Sequence, residues 1–405
     1  MLRSWTGHWA DTVPRHTDPS HARRWSVALS AIVITLASQI TAPLTATAAA
    51  SAERTSLPAR TSVVTTPAMR NSCDEVRASL DTLAAQGKEH ALCVRPAQPR
   101  DLSPHARETA AATVPDRCLE PMPELTWVID RFTGCRQEFG VVAIHRIPEG
   151  TLVGEVEVVT ITSVHADARA LTWQHNIQVV WLRGWGDIAS VIPEATASCP
   201  VECTVSAADF PFRLLSDNPS GTSTMTSAVV PGTTGQVVAE QSRWTIVFGQ
   251  MGSIPSPPVT FTSEAVRCDT STPNATAGCA LSRHTPTLHY TTAANGELAT
   301  HIRDAQAAGL PGSPTSGRPL TRQTNAALIN RNRSIACPSS LPRPPGHQCD
   351  EYPFASTNQG AYLSGGLYSA RMIDENDNEQ GGRELNAFYR DNRIVNSDPF
   401  HVQID

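Results

Sequence analysis

The 405-residue chain holds a single lysine, Lys88. Nearly all of its positive charge is therefore arginine, whose planar and permanently charged fork suits phosphate groups. With 32 Lys+Arg against 38 Asp+Glu, the formal net charge is −6. That excludes a protein basic throughout, so any contact with nucleic acid must be confined to a local groove. Aromatic residues make up 5% and charged residues 17%, alongside 31 prolines. This profile disfavours a helical bundle and favours a loop-rich, strand-containing chain. No C-x-x-C occurs, and Cys199 and Cys203 lack a nearby histidine pair, which disfavours structural zinc. There is no internal repeat. Beyond residue 50 no segment is apolar enough to cross a membrane.

What is present starts with an N-terminal pattern. Arg23 and Arg24 precede the apolar run "WSVALSAIVITLASQI", and "TAPLTATAAASAE" follows it. Basic, apolar and small-residue segments in that order predict a secretory signal peptide over residues 1–50, cleaved after Ala48 or Ala50. The apolar run is shorter than a membrane span. Export fits the ten cysteines, an even number that predicts disulfides. They fall as successive close pairs, so the simplest connectivity is 73–93, 118–135, 199–203, 268–279 and 337–349.

Residues 51–115 read as a linker around one stapled helix. "CDEVRASLDTLAAQ" places Val76, Leu80 and Leu83 at helical spacing between Cys73 and Cys93. Residues 116–280 change character. "ELTWVID", "EFGVVAIHRI", "TLVGEVEVVTITSV", "WQHNIQVVWLRG" and "RWTIVFGQM" are β-branched or aromatic runs separated by turn residues. They predict a mainly β, sandwich-like accessory region. Trp127, Trp173, Trp181, Trp185 and Trp244 lie here, either as core or as a glycan-binding face. Residues 266–345 read as irregular apart from one helix, Glu297 to Gly309, with Ile302 and Ala305 on its apolar face. The whole is an α+β chain whose chemistry lies in residues 281–405.

The stretch "GHQCDEYPFAST" sets Asp350 and Glu351 side by side, just after Cys349 and before Tyr352, Pro353 and Phe354. Adjacent carboxylates repel, and aromatic neighbours desolvate them. A proton-transfer or metal-binding task explains such a placement, and so does exposure on a turn. "GGLYSARMI" then reads as a strand carrying Arg371. "DENDNEQGGRELNAFYRDNRI" reads as an oxygen-rich turn, Asp374 to Glu379, followed by a helix with Leu385, Phe388 and Tyr389 on one face. Oxygen donors suit hard cations such as Mg²⁺, Mn²⁺ or Ca²⁺. The competing reading of the turn is a solvated cap on the helix.

"CDEYPFAST" together with "DENDNEQGGRELNAFYRDNRI" resembles the signature of the NucA/NucB family of secreted bacterial deoxyribonucleases. The resemblance covers roughly residues 325–405. It implies a small ββα-metal nuclease domain, with two strands, a helix and one divalent metal. It places Asp350 in the general-base position and Asn378 in that of a metal-ligating asparagine. Glu351 follows as a supporting carboxylate and Arg371 as a phosphate contact. Asn386, eight residues beyond Asn378, lies about 80° around the helix from it and is a further metal-site candidate. Glu384 and Gln380 are additional candidates, and His347 competes with Asp350 as base. The resemblance does not reach the β-rich region.

The expectation is thus a secreted, metal-dependent endodeoxyribonuclease with DNA as substrate. Two rivals stand beside it. One is the same enzyme as an antibacterial toxin with a cognate inhibitor protein. The other is a cell-wall glycan binder whose nuclease-like domain is inactive.

Overall fold

A computed structural model describes residues 61–111 and 114–405. The expected signal peptide lies outside the described residues. The fold is mixed and strand-rich, with 40% strand and 20% helix. None of the described helices is long and apolar enough to cross a membrane.

A nine-stranded sheet dominates the first part. Its long centre is Thr133–Arg146, Leu152–Ala166 and Thr172–Gly186, paired antiparallel. A five-stranded sheet is built around Val237–Gly249. The two sheets share one core. Val142, Ile144, Val156, Val158, Ile177 and Val179 come from the first, and Trp244, Ile246, Phe248 and Phe261 from the second. Alternation along each strand explains this, since every second side chain reaches the same face.

The run "EVEVVTITSV" is apolar on both faces because both are covered. Val159 and Ile161 point away from the shared core and pack with Leu102, Ala106, Cys118 and Leu119. Leu102 and Ala106 belong to the segment read above as linker. That segment is structured. Thr61–Val64 and His90–Pro96 are strands of the large sheet, and Pro104–Ala111 is a helix. Its prolines hid this, because Pro96 ends a strand and Pro104 opens a helix, both tolerated places. The stapled helix breaks at Ser79 into Cys73–Ala78 and Leu80–Ala84, and Cys93 sits in a strand. Trp127, Trp173 and Trp244 are buried, and of the five tryptophans of this region only Trp185 is half exposed. Trp127, Trp173 and Trp244 form core, and Trp181 packs against it partly buried. The expected sequential connectivity is present in all five disulfides.

The second part has its own core. Thr287–Tyr290 pairs parallel with Pro399–Ile404, and Leu320–Thr321 adds the third strand. The helix expected from Glu297 starts earlier, at Thr292, and runs to Ala307. Thr291 caps it by accepting from the Ala294 amide. Ile302 and Ala305 are buried, and Gly309 beyond its end has a left-handed φ of 95°. A second helix, Ala326–Ala336, was not expected from the sequence. A two-stranded hairpin, His347–Tyr352 with Ser369–Asp374, leads directly into the helix Glu375–Asp391. The acidic stretch read as a turn is in fact the start of that helix. Asp374 is its cap, accepting from the Asn376 and Asp377 amides.

Candidate active site

A cleft of about 390 Å³ opens between the hairpin and the helices Ala326–Ala336 and Glu375–Asp391. Asp350, Glu351 and Asn378 all line it, with Gln348, Arg333 and Arg343. The strand His347–Tyr352 pairs only with Ser369–Asp374. Its other edge is free of strands, and successive side chains turn to opposite faces. Gln348 and Asp350 therefore face the helices Thr292–Ala307 and Glu375–Asp391. Cys349 and Glu351 face Ala326–Ala336.

Asp350 is 6% exposed. Its Oδ2 is 2.6 Å from Nδ1 of His301, a fully buried residue of the helix Thr292–Ala307. The other ring nitrogen is 2.8 Å from the Ser369 hydroxyl. The ring is therefore held from both nitrogens, by the Asp350 carboxyl on one side and the Ser369 hydroxyl on the other. Asp350 is thus held by one oxygen, and its other oxygen is left for the cleft. The sequence analysis missed His301. The signal was a histidine within the apolar stripe Leu298, Ile302, Ala305.

Glu351 sits differently. Its Oε1 is 3.9 Å from Arg333 and its Oε2 lies 3.5 Å from the Cys337 sulfur. Burial, and then the Asp350 charge, push its carboxyl up to about 7. Tyr352 and Phe354, the aromatics that follow, are anchors in the core below and meet edge to face at 5.5 Å. Tyr352 donates to the Pro311 carbonyl and accepts from Gln306.

The site helix is placed by an exchange of caps. Asp377 accepts from the Glu297 amide at 2.7 Å, and Glu297 accepts from the Asp374 amide at 2.8 Å. Gly296 permits this. Its φ of 30° kinks the helix, and a Cβ there would stand 2.3 Å from Asp377 Oδ2. Two acids of the dense run are therefore structural. Asn378 is free of that duty. Its amide nitrogen donates to Gln348 at 3.1 Å, which leaves its oxygen as an acceptor. Glu384 is engaged by Asn295 and Gln380, at 2.8 and 2.9 Å.

Two expected site residues are not brought into the cleft. Arg371 lies opposite Asp350 in the hairpin register, but its guanidinium pairs with Asp304 at 2.9 Å. Asn386 is exposed and donates to the Gly382 carbonyl of its own helix. The rotation of about 80° from Asn378 carries it past the cleft. His347 bonds locally to the Pro345 carbonyl and does not line the cleft. The cations that do line it, Arg333 and Arg343, were missed. Arg343 stands in the loop closed by Cys337 and Cys349.

Residues 310–403 match the family model Deoxyribonuclease NucA/NucB. The C-terminal region carries a NucA/NucB deoxyribonuclease domain. The match contains Asp350, Glu351, Asn378 and both cleft arginines, whereas His301 lies just before it. No curated protein and no solved structure matches the chain. The Asn378 amide oxygen in the NucA/NucB cleft is a donor of the type a hard cation prefers. Elsewhere among the described residues, Cys73, Cys93 and His145 cluster at ligand distance. The disulfide between those cysteines removes their sulfurs from metal chemistry.

Proposed function

We propose that this protein is an exported, metal-dependent endodeoxyribonuclease that hydrolyses DNA in the cleft at Asp350. The observation that carries the reading is convergence: two acids, one asparagine and two arginines, from two helices, a strand and a loop, line one cleft inside a NucA/NucB domain. Five disulfides fit an oxidising, extracellular setting.

In this reading Arg333 and Arg343 hold the substrate phosphate. The free oxygen of Asp350 takes a proton from the attacking water. His301 keeps the other oxygen occupied and so fixes the carboxylate plane. Asn378 would hold a divalent cation such as Mg²⁺ or Mn²⁺, with Asp350 beside it. When bound, that cation supplies positive charge for the departing 3′-oxygen. The products carry 5′-phosphate. Glu351, protonated over part of the neutral range, limits the negative charge that DNA meets.

The test is supercoiled plasmid with purified protein, in Mg²⁺ or Mn²⁺ and separately with chelator. Nicking and linearisation should require metal. Asp350→Ala should lose activity by about 10²–10⁴-fold while its near-ultraviolet spectrum stays native. Wild-type rates in that variant would refute the assignment of Asp350.

A further inference from the structure

We infer that the strand-rich region is a permanent scaffold of the nuclease cleft, locked to it by Arg393, which fixes the far end of the helix that carries Asn378. This goes beyond the proposed reaction, which leaves residues 61–280 without a task.

Arg393 follows the site helix by two residues and is completely buried. Its side chain leaves its own half of the chain. It donates to both carboxylate oxygens of Asp269, at 3.0 and 2.7 Å, and to the carbonyls of Ala168, Thr276 and Asp269 at 2.6, 2.8 and 2.7 Å. All of these acceptors belong to the strand-rich region. The lock is reciprocal. Arg131 of that region donates to the Asn392 carbonyl at 2.6 Å and the Arg393 carbonyl at 2.9 Å. Arg267 joins it on Asp398, which takes both guanidinium groups.

The geometry has a mechanical consequence. The site helix, Glu375–Asp391, is about 25 Å long. Asn378 stands in its first turns. Asn392, its C-terminal cap, presents its carbonyl to a buried guanidinium, the charge that a helix C-terminus favours. One end of the helix is thus set by the cap exchange with Glu297, and the other by arginines from the strand-rich region. Removing Arg393 would leave the fully buried Asp269 carboxylate with only the 3.7 Å ion pair to Arg267, and the carbonyls of Ala168, Thr276 and Asp269 without this donor. A detachable leader or a separate binding module would not be joined this way.

The sequence supplies two local probes. All eight tryptophans lie at or before Trp244, and all five tyrosines at or after Tyr290. Three of those tryptophans precede residue 51, so in protein lacking residues 1–50 tryptophan emission follows the strand-rich region, and the tyrosine bands of the second-derivative absorbance spectrum follow the nuclease region, without metal. In wild type the two thermal transitions should coincide. In Arg393→Ala the tyrosine transition should fall roughly 10 °C below the tryptophan one. Separate transitions already in wild type would overturn the inference. So would an Arg393→Ala protein whose transitions stay together, shifted or not, because that is the signature of ordinary core damage. If Arg393→Ala yields no folded protein, Asp398→Asn gives the same reading by removing one carboxylate from Arg131 and Arg267. Coincident transitions there, shifted or not, would overturn the inference equally. The readout does not involve DNA, so it stands or falls apart from the nuclease reading.

Discussion

The two adjacent acids divide their labour because a strand sends them to opposite faces. Asp350 meets His301 at 2.6 Å, whereas the nearest cation to Glu351, Arg333, stands 3.9 Å away. That contrast gives Glu351 a measurable pH signature. Its ordinary value is near 4.5, and the fold raises it to about 7. Between those two values the folded protein binds a proton that the unfolded chain has released. Stability from this group is therefore fully present below about 4.5, falls as pH rises through 7, and stays low above it. Glu351→Gln removes the titration. In chelator, the variant should gain about 2–3 kcal/mol on wild type between pH 4.5 and pH 8. Thermal unfolding at both pH values reads this directly, and a pH-independent difference would contradict it. The sequence made the pair visible as an oddity. It did not make their partners visible, because His301 and Arg333 lie 49 and 18 positions away from Asp350 and Glu351.

At the scale of elements, periodicity was a good guide to faces and a poor guide to ends. Leu385, Phe388 and Tyr389 are buried together as their spacing requires. The acidic run before them was read as a turn because its residues favour caps and loops. It is helical because Asp374 caps it and Glu297 secures the cap from a neighbouring helix. Such tertiary support outweighs local propensity. The same two helices cross at Gly381. A Cβ there would stand 1.9 Å from Leu298 Cδ2, and the Gly381 carbonyl also accepts from the buried Tyr290 hydroxyl at 2.8 Å. Gly381→Ala gains helix propensity, but the buried Leu298 side chain must leave its place or the helices must part. The clash should win, for a net loss of about 1–3 kcal/mol. Because Asn378 lies one turn before Gly381, cleavage should fall as well at temperatures where the variant is still folded. Gly382, with nothing near its Cβ position, is the control. Gly382→Ala should be neutral or slightly stabilising, and equal losses at both positions would show that the crossing is not the cause.

For the whole molecule, charge and placement pull in opposite directions. The chain carries a formal −6, so at long range it repels DNA. Attraction has to come from the arginines at the cleft, and several others are already committed. Arg131, Arg267 and Arg393 are buried between the two regions, and Arg371, Arg383 and Arg390 are paired with acids. An abundance of arginine was legible in the sequence, but its division between lock and cleft was not. The partners in the lock lie more than a hundred residues apart, beyond the reach of any local pattern. Arg343 is the cleft cation without a carboxylate partner, held only by carbonyls of its own disulfide-closed loop at 3.3 to 3.5 Å. It can therefore turn to a phosphate without breaking an ion pair. With so few phosphate contacts, log KM for a short duplex should rise with log salt at a slope of about 2. Arg343→Ala should raise KM at low salt and reduce that slope by about 1, leaving kcat within about twofold. The two effects belong together, since a counterion released by one arginine cannot be released once that arginine is gone. A variant with a raised KM but an unchanged salt slope would mean that Arg343 shapes the loop and does not touch the DNA backbone.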